Sequence, residues 1–165
     1  MDEKSRKLAL SAIQTRNPRM IYEIAFLLEV DDEALLNKMA EIVIKSHNLE
    51  YIYKMATIKG TPTLKLARAI AASGSLKWIR RFAENVGNAP QLKLAEAYVM
   101  NARAEDILEY ASCVDNAPLE FLAEAILETD DERCIEEFAI NVLGMDIQRF
   151  KNKFGDEFDC EEEMQ

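Results

Sequence analysis

Glycine and proline are scarce in this chain of 165 residues, with five and four of them respectively. That leaves little room for long loops or for many β-turns. The glycines stand singly, at 60, 74, 87, 144 and 155, where they read as helix ends rather than phosphate-cradling loops. Histidine is rarer still. His47 is the only one, in a turn between helices, and a lone loop histidine lacks the partners that general acid–base catalysis requires. None of the spacings GxxxxGK, GxGxxG, HExxH or GxSxG occurs. Cys113, Cys134 and Cys160 form no CxxC or Cys/His ligand set, which argues against a disulfide framework and against zinc. Two helix-buried thiols and a third in an exposed tail are expected. No apolar run approaches the ~18 residues of a membrane span. Met1 to Lys7 is charged where a secretory leader would be heading into an apolar core. These absences point to a cytoplasmic, non-enzymatic protein with no membrane attachment, metal or cofactor.

What is present is a repeat. Ile-x-x-(large apolar)-Ala recurs as Ile21–Ala25, Ile52–Ala56, Ile79–Ala83, Ile107–Ala111 and Ile135–Ala139, with steps of 31, 27, 28 and 28 residues. A second pattern keeps the same period: Met39-Ala40, Leu66-Ala67, Leu94-Ala95 and Leu122-Ala123. Both have helical spacing; Ile79, Phe82, Ala83 and Val86 fall at i, i+3, i+4 and i+7 on one face. Pro62, Pro90 and Pro118 precede the second pattern, and proline there is expected in the first helical turn, where its missing N–H does no harm. Asn17, Asn48, Ser75 and Asp131 precede the first pattern as candidate N-caps. Arg103 breaks that column, so Asn101 is expected to cap there instead. Each repeat is therefore a helix pair. Helices this short are marginal alone and gain stability by stacking, which the alanines allow through close approach.

The ends keep the frame. Lys7-Leu8-Ala9 matches Lys38-Met39-Ala40 and reads as a lone capping helix, residues 4–15. At the other end Phe150, Lys151 and Lys153 stand where interior repeats have Leu122, Ala123 and Ala125, giving a polar outer face. The expected architecture is all-α: a right-handed α-α superhelix of about five helix-pair repeats (17–46, 47–73, 74–101, 102–129 and 130–154) in a single domain 1–155. An acidic, flexible tail is expected over 156–165. Stacked short antiparallel helix pairs of this kind, over residues 5–154, resemble the HEAT and armadillo class of α-solenoids, with shorter repeats than that class usually has. The resemblance implies a curved slab that holds a partner, and it implies no reaction.

Charge gives the partner clue. The net charge of −10 is unevenly laid out. Residues 51–100 carry eight basic and two acidic groups, whereas 101–165 carry five basic and nineteen acidic ones. Lys7, Lys38, Lys65 and Lys93 each stand just before the (Leu/Met)-Ala pair, and Phe121 ends the column. Packed helices lie ~8–10 Å apart, so this column should form a basic ladder along the second helices. The leading expectation is a scaffold or adaptor binding a protein partner there through Lys38, Lys65, Arg68 and Lys93, with Trp78 as an aromatic anchor. The alternatives are an acidic inhibitor or nucleic-acid mimic acting through Glu109, Glu120, Glu124, Glu136 and Glu137, and weak nucleic-acid binding through the basic middle, which the sequence pI of 4.7 disfavours. The carboxylate clusters at Asp31–Glu33 and Asp130–Glu132 precede helices, where such residues cap N–H groups rather than hold metal. A monomer or weak dimer is expected.

Overall fold

The computed structural model describes residues 2–155. Among the described residues the protein is all-α, 72% helical and without a strand, and its helices pack against their neighbours in sequence order. The packing separates two compact units, Met1–Met100 and Asn101–Gln165.

The first unit opens with α1 (Glu3–Thr15) and continues as three helix pairs: α2 (Pro18–Leu27) with α3 (Glu33–Lys45), α4 (Leu49–Ala56) with α5 (Thr63–Ala72), and α6 (Leu76–Asn85) with α7 (Gln91–Val99). Each helix also packs on its counterpart one pair further on: α1 on α3, α3 on α5, α5 on α7, α2 on α4 and α4 on α6. This is the stacking of a helical solenoid. The core is made of the two repeating patterns: Ile21, Ile52, Ile79, Met39, Leu66 and Leu94 are all essentially inaccessible. Burial contributes about 1.5–3 kcal/mol for each such side chain, an upper estimate for a chain that is already partly compact when unfolded.

The second unit holds α8 (Ala104–Cys113), α9 (Leu119–Leu127), α10 (Glu132–Glu137) and α11 (Ile147–Phe154). Ile107, Tyr110, Leu122, Ile126, Ile135, Phe138 and Phe150 form its core. α10 runs on into a π-helical turn, Phe138–Val142, closed by the Leu143 N–H donating to the Phe138 carbonyl at 3.2 Å. The sequence pattern does not announce this turn, because Phe138 and Ala139 keep the same buried slots as Phe82 and Ala83. Lys151 on α11 pairs with Glu132 at 2.9 Å.

The turn between consecutive repeats has a chemistry of its own, repeated with the same period. Thr15, Ser46, Ser73 and Thr129 each donate a hydroxyl bond of 2.6 Å to the carbonyl three residues back. Each then accepts the N–H two residues ahead, from Asn17, Asn48, Ser75 and Asp131, at 3.1–3.4 Å. The residue between is left-handed every time: Arg16, His47, Gly74 and Asp130, with φ of 54–65°. His47 is thus an exposed turn residue in a repeating backbone slot.

Three local expectations need correction. Pro62, Pro90 and Pro118 occupy the N-cap position rather than the first helical turn. Their ψ of 76–80° leaves them half outside the helix, and their carbonyls accept from the Leu66, Leu94 and Leu122 N–H groups at 3.0–3.2 Å. Only Pro18 stands at a first helical position. Second, the N-cap of α8 is Arg103, not Asn101; Asp106 reaches back to accept the Arg103 N–H at 2.9 Å. Asn101 stands instead in the hydroxyl slot, and Ala102, after it, has no positive φ. The one turn that departs from the rule is also where the two units divide. Third, Cys113 is exposed, because the end of α8 turns it away from the Ile107–Tyr110–Ala111 face; Cys134 is buried. Cys160 and the acidic tail lie outside the described residues.

Candidate functional site

The lysines expected to form a ladder belong to the first unit: Lys38 on α3, Lys65 on α5 and Lys93 on α7. Each is exposed beside a buried neighbour, Met39, Leu66 or Leu94. The helix spacing dictates this, since residues one apart point about 100° away from each other. The ladder is not uniformly cationic. Lys65 pairs with Glu41 of α3 at 3.2 Å, and Lys7 pairs with Glu3 within α1 at 2.8 Å. Arg68 occupies the slot that Glu41 and Glu96 take in the adjacent repeats. Lys38, Arg68 and Lys93 make no ion pair with another described residue. The structure adds two exposed leucines on these helices: Leu64, and Leu92, which the apolar stripe of Leu94, Ala97 and Tyr98 would have turned inward. Leu64 and Leu92, immediately before Lys65 and Lys93, are 58% and 51% exposed. Their 28-residue spacing was the available signal; their exposure at the helix start was not.

Trp78 lies on a first helix, α6, half-buried. It packs on Tyr53 of α4, with ring centroids 5.8 Å apart. One repeat earlier Tyr51 of α4 meets Tyr22 of α2 at 6.2 Å, and Tyr22 also stacks on Phe26 at 5.9 Å. In both ring pairs the residue after the core isoleucine of one helix meets the residue before the core isoleucine of the next. A cation two residues after that second isoleucine lies over both rings. Lys54 is 5.9 Å from the Tyr22 centroid and 5.0 Å from that of Tyr51. Arg81 is 5.4 Å from Tyr53 and 5.6 Å from Trp78, with Lys77 also 5.3 Å from Trp78.

The electrostatics of this face are graded. Lys54 is bonded to Glu50 at 2.5 Å, which holds the Glu50 carboxyl below its ordinary value and raises that of Lys54. Arg19 pairs with Glu23 at 2.7 Å and Arg80 with Glu84 at 3.2 Å. Lys77 and Arg81, by contrast, make no ion pair with a described residue.

In the second unit the acidic residues are spread over its helices: Glu109 on α8, Glu120 and Glu124 on α9, and Glu136 and Glu137 on α10. Glu105, Asp131 and Cys134 bring ligand atoms within 4.8 Å of one another. Capping and ion pairing account for this group. Asp131 accepts the Cys134 N–H at 3.0 Å, which lowers its pKa, and Arg133 bonds Glu105 at 3.2 Å. Burial pushes the Cys134 thiol up, with the Asp131 carboxylate adding to the effect.

No family model, curated protein or solved structure matches the chain. The fold itself defines an all-α helical-repeat protein. No helix among the described residues is long and apolar enough to cross a membrane.

Proposed function

We propose that the protein is a non-enzymatic adaptor that holds an acidic protein partner along the second helices of its first unit, as a HEAT- and armadillo-like slab would. The observation carrying this reading is the pairing of exposed leucine with exposed cation in successive second helices: Leu64 with Lys65 and Arg68, and Leu92 with Lys93. Apolar area supplies affinity, while Arg68 and Lys93, which make no ion pair with a described residue, select an acidic partner and speed encounter. Lys38 extends the strip to α3. The protein acts in the cytoplasm as a monomer or weak dimer.

The test is capture from the source cell's lysate at low and high salt by the native chain, by Lys65→Glu/Lys93→Glu and by Leu64→Ser/Leu92→Ser. A partner bound by the native chain, released by salt and at least tenfold weaker on both variants is the expected result. Equal capture by the charge-reversed variant would remove the second helices from the binding surface. Loss on neutralising Glu109, Glu120, Glu124, Glu136 and Glu137 instead would place the function in the second unit.

A further inference from the structure

We infer that the ring-and-cation strip on α2, α4 and α6 is a second, separate docking surface, which takes an acidic polypeptide segment bearing an aromatic residue. Its groups are those that dominate protein interfaces energetically, tyrosine, tryptophan and arginine. They are also held in advance. Tyr53 and Trp78 fix each other at 5.8 Å, and Arg81 and Lys77 already lie over the Trp78 ring. A partner therefore finds rings already packed on each other with cations close to their faces, so fewer groups remain to be brought together on binding. The strip is unevenly neutralised. Around Tyr51, Lys54 is engaged by Glu50 in an ion pair. Around Trp78, Lys77 and Arg81 make no ion pair with a described residue and share only the longer-range field of the Glu50 carboxylate, so partner carboxylates at these two cations add contacts the described residues do not make.

The aromatic part of the ligand follows from the other end of the strip. Phe26 is 59% exposed, yet stacked on Tyr22 at 5.9 Å, which offers an apolar ring edge on α2, two first helices away from the Lys77 and Arg81 of α6. Charge complementarity selects polypeptide over nucleic acid. A phosphate backbone needs an unbroken basic track, whereas Glu23, Glu50 and Glu84 interrupt this face and the whole chain carries −10. A short acidic segment needs only the local pair of cations.

Trp78 is the only tryptophan, so its fluorescence reports this surface directly. The full chain is titrated with a capped synthetic peptide of glutamates around one phenylalanine, with a single-stranded oligothymidine run in parallel. The expected result is a saturable change in Trp78 emission on adding peptide, weakened at least tenfold by Lys77→Glu/Arg81→Glu and by the neutral Lys77→Gln/Arg81→Gln, and retained by Lys65→Glu/Lys93→Glu. The neutral pair, checked for native helicity, guards against misreading a folding defect. An unchanged emission, or peptide binding indifferent to Lys77 and Arg81, overturns the inference. So does tighter binding of the oligothymidine with the same variant sensitivity. Loss of peptide binding only in Lys65→Glu/Lys93→Glu would assign it to the second helices and overturn a separate site.

Discussion

In the first unit the slots flanking the core isoleucines hold Met20, Tyr22, Tyr51, Tyr53, Trp78 and Arg80, and the slot two residues after each isoleucine holds Glu23, Lys54 and Arg81. In the second unit the same flanking slots hold Asp106, Leu108, Cys134 and Glu136, and the slot two residues after holds Glu109 and Glu137. Beneath these surfaces the buried slots are the same: Ile79, Phe82 and Ala83 in one unit, Ile135, Phe138 and Ala139 in the other. One packing plan therefore supports two opposite surfaces. Residues 1–100 carry fifteen basic and eleven acidic groups, against five and nineteen in residues 101–165. The difference teaches that the inward slots are committed to stacking, while the outward ones are free to be charged in either sense.

The strongest way to break this comparison is to empty an equivalent core slot in each unit. Leu66→Ala and Leu122→Ala both remove a fully buried side chain. Each is expected to cost about 2–5 kcal/mol, read from urea unfolding. Hydrogen exchange should show protection lost mainly in the unit that carries the change. If Leu66→Ala loosened 101–155 as much as 2–100, the division into two compact units would fail as an energetic statement.

A smaller effect sharpens the comparison at the turns. Gly74→Ala forces a side chain into a left-handed position with φ of 65° and should cost about 1–2 kcal/mol. His47→Gly relieves the same strain at φ of 54° and should raise the thermal midpoint, a gain of up to about 1 kcal/mol. Ala102→Gly, at the corresponding position between the units, should bring no gain. A stabilised Ala102→Gly protein would show that this turn does not depart from the others.

The smallest effect is confined to acid pH. The Cys134 N–H bond depresses the pKa of Asp131 in the folded chain below its ordinary 3.8. Its contribution is therefore complete above 3.8 and is lost as pH falls through the depressed folded value. Circular dichroism should show the start of α10 weakening in that acid window, and Asp131→Asn should lack this step while keeping a capping side chain. Identical acid profiles would assign the acid sensitivity to other carboxylates.

The fold was legible because stacking repeats its demands. Ile21 to Ile135 and Met39 to Leu122 must be apolar at helical spacing, and such a constraint survives in the order of residues. The surface was legible only in part. Lys65 could be placed on a solvent face, but its pairing with Glu41, 24 residues earlier, depends on which helix lies alongside. Trp78 and Tyr51 could be assigned one slot, while their ring partners Tyr53 and Tyr22 sit in another and meet them only across neighbouring repeats. The hydroxyl column at 15, 46, 73 and 129 was present in the sequence at the repeat period. Its role is not legible there, because Ser and Thr are common at helix ends, and only the bonds they make distinguish a turn element from a surface residue.

That turn has a consequence for how such a chain changes length. Its bonds run from the carbonyl three residues before the hydroxyl to the N–H two residues after it, all on contiguous backbone. Nothing in it depends on which helix pair precedes or follows. A block cut or copied from one such turn to the next, 27 residues between Ser46 and Ser73, carries identical junction chemistry at both ends. Duplication or excision of such a block would leave the hydroxyl joints as they are, so modules could be added there while each exposed strip remains free to diverge.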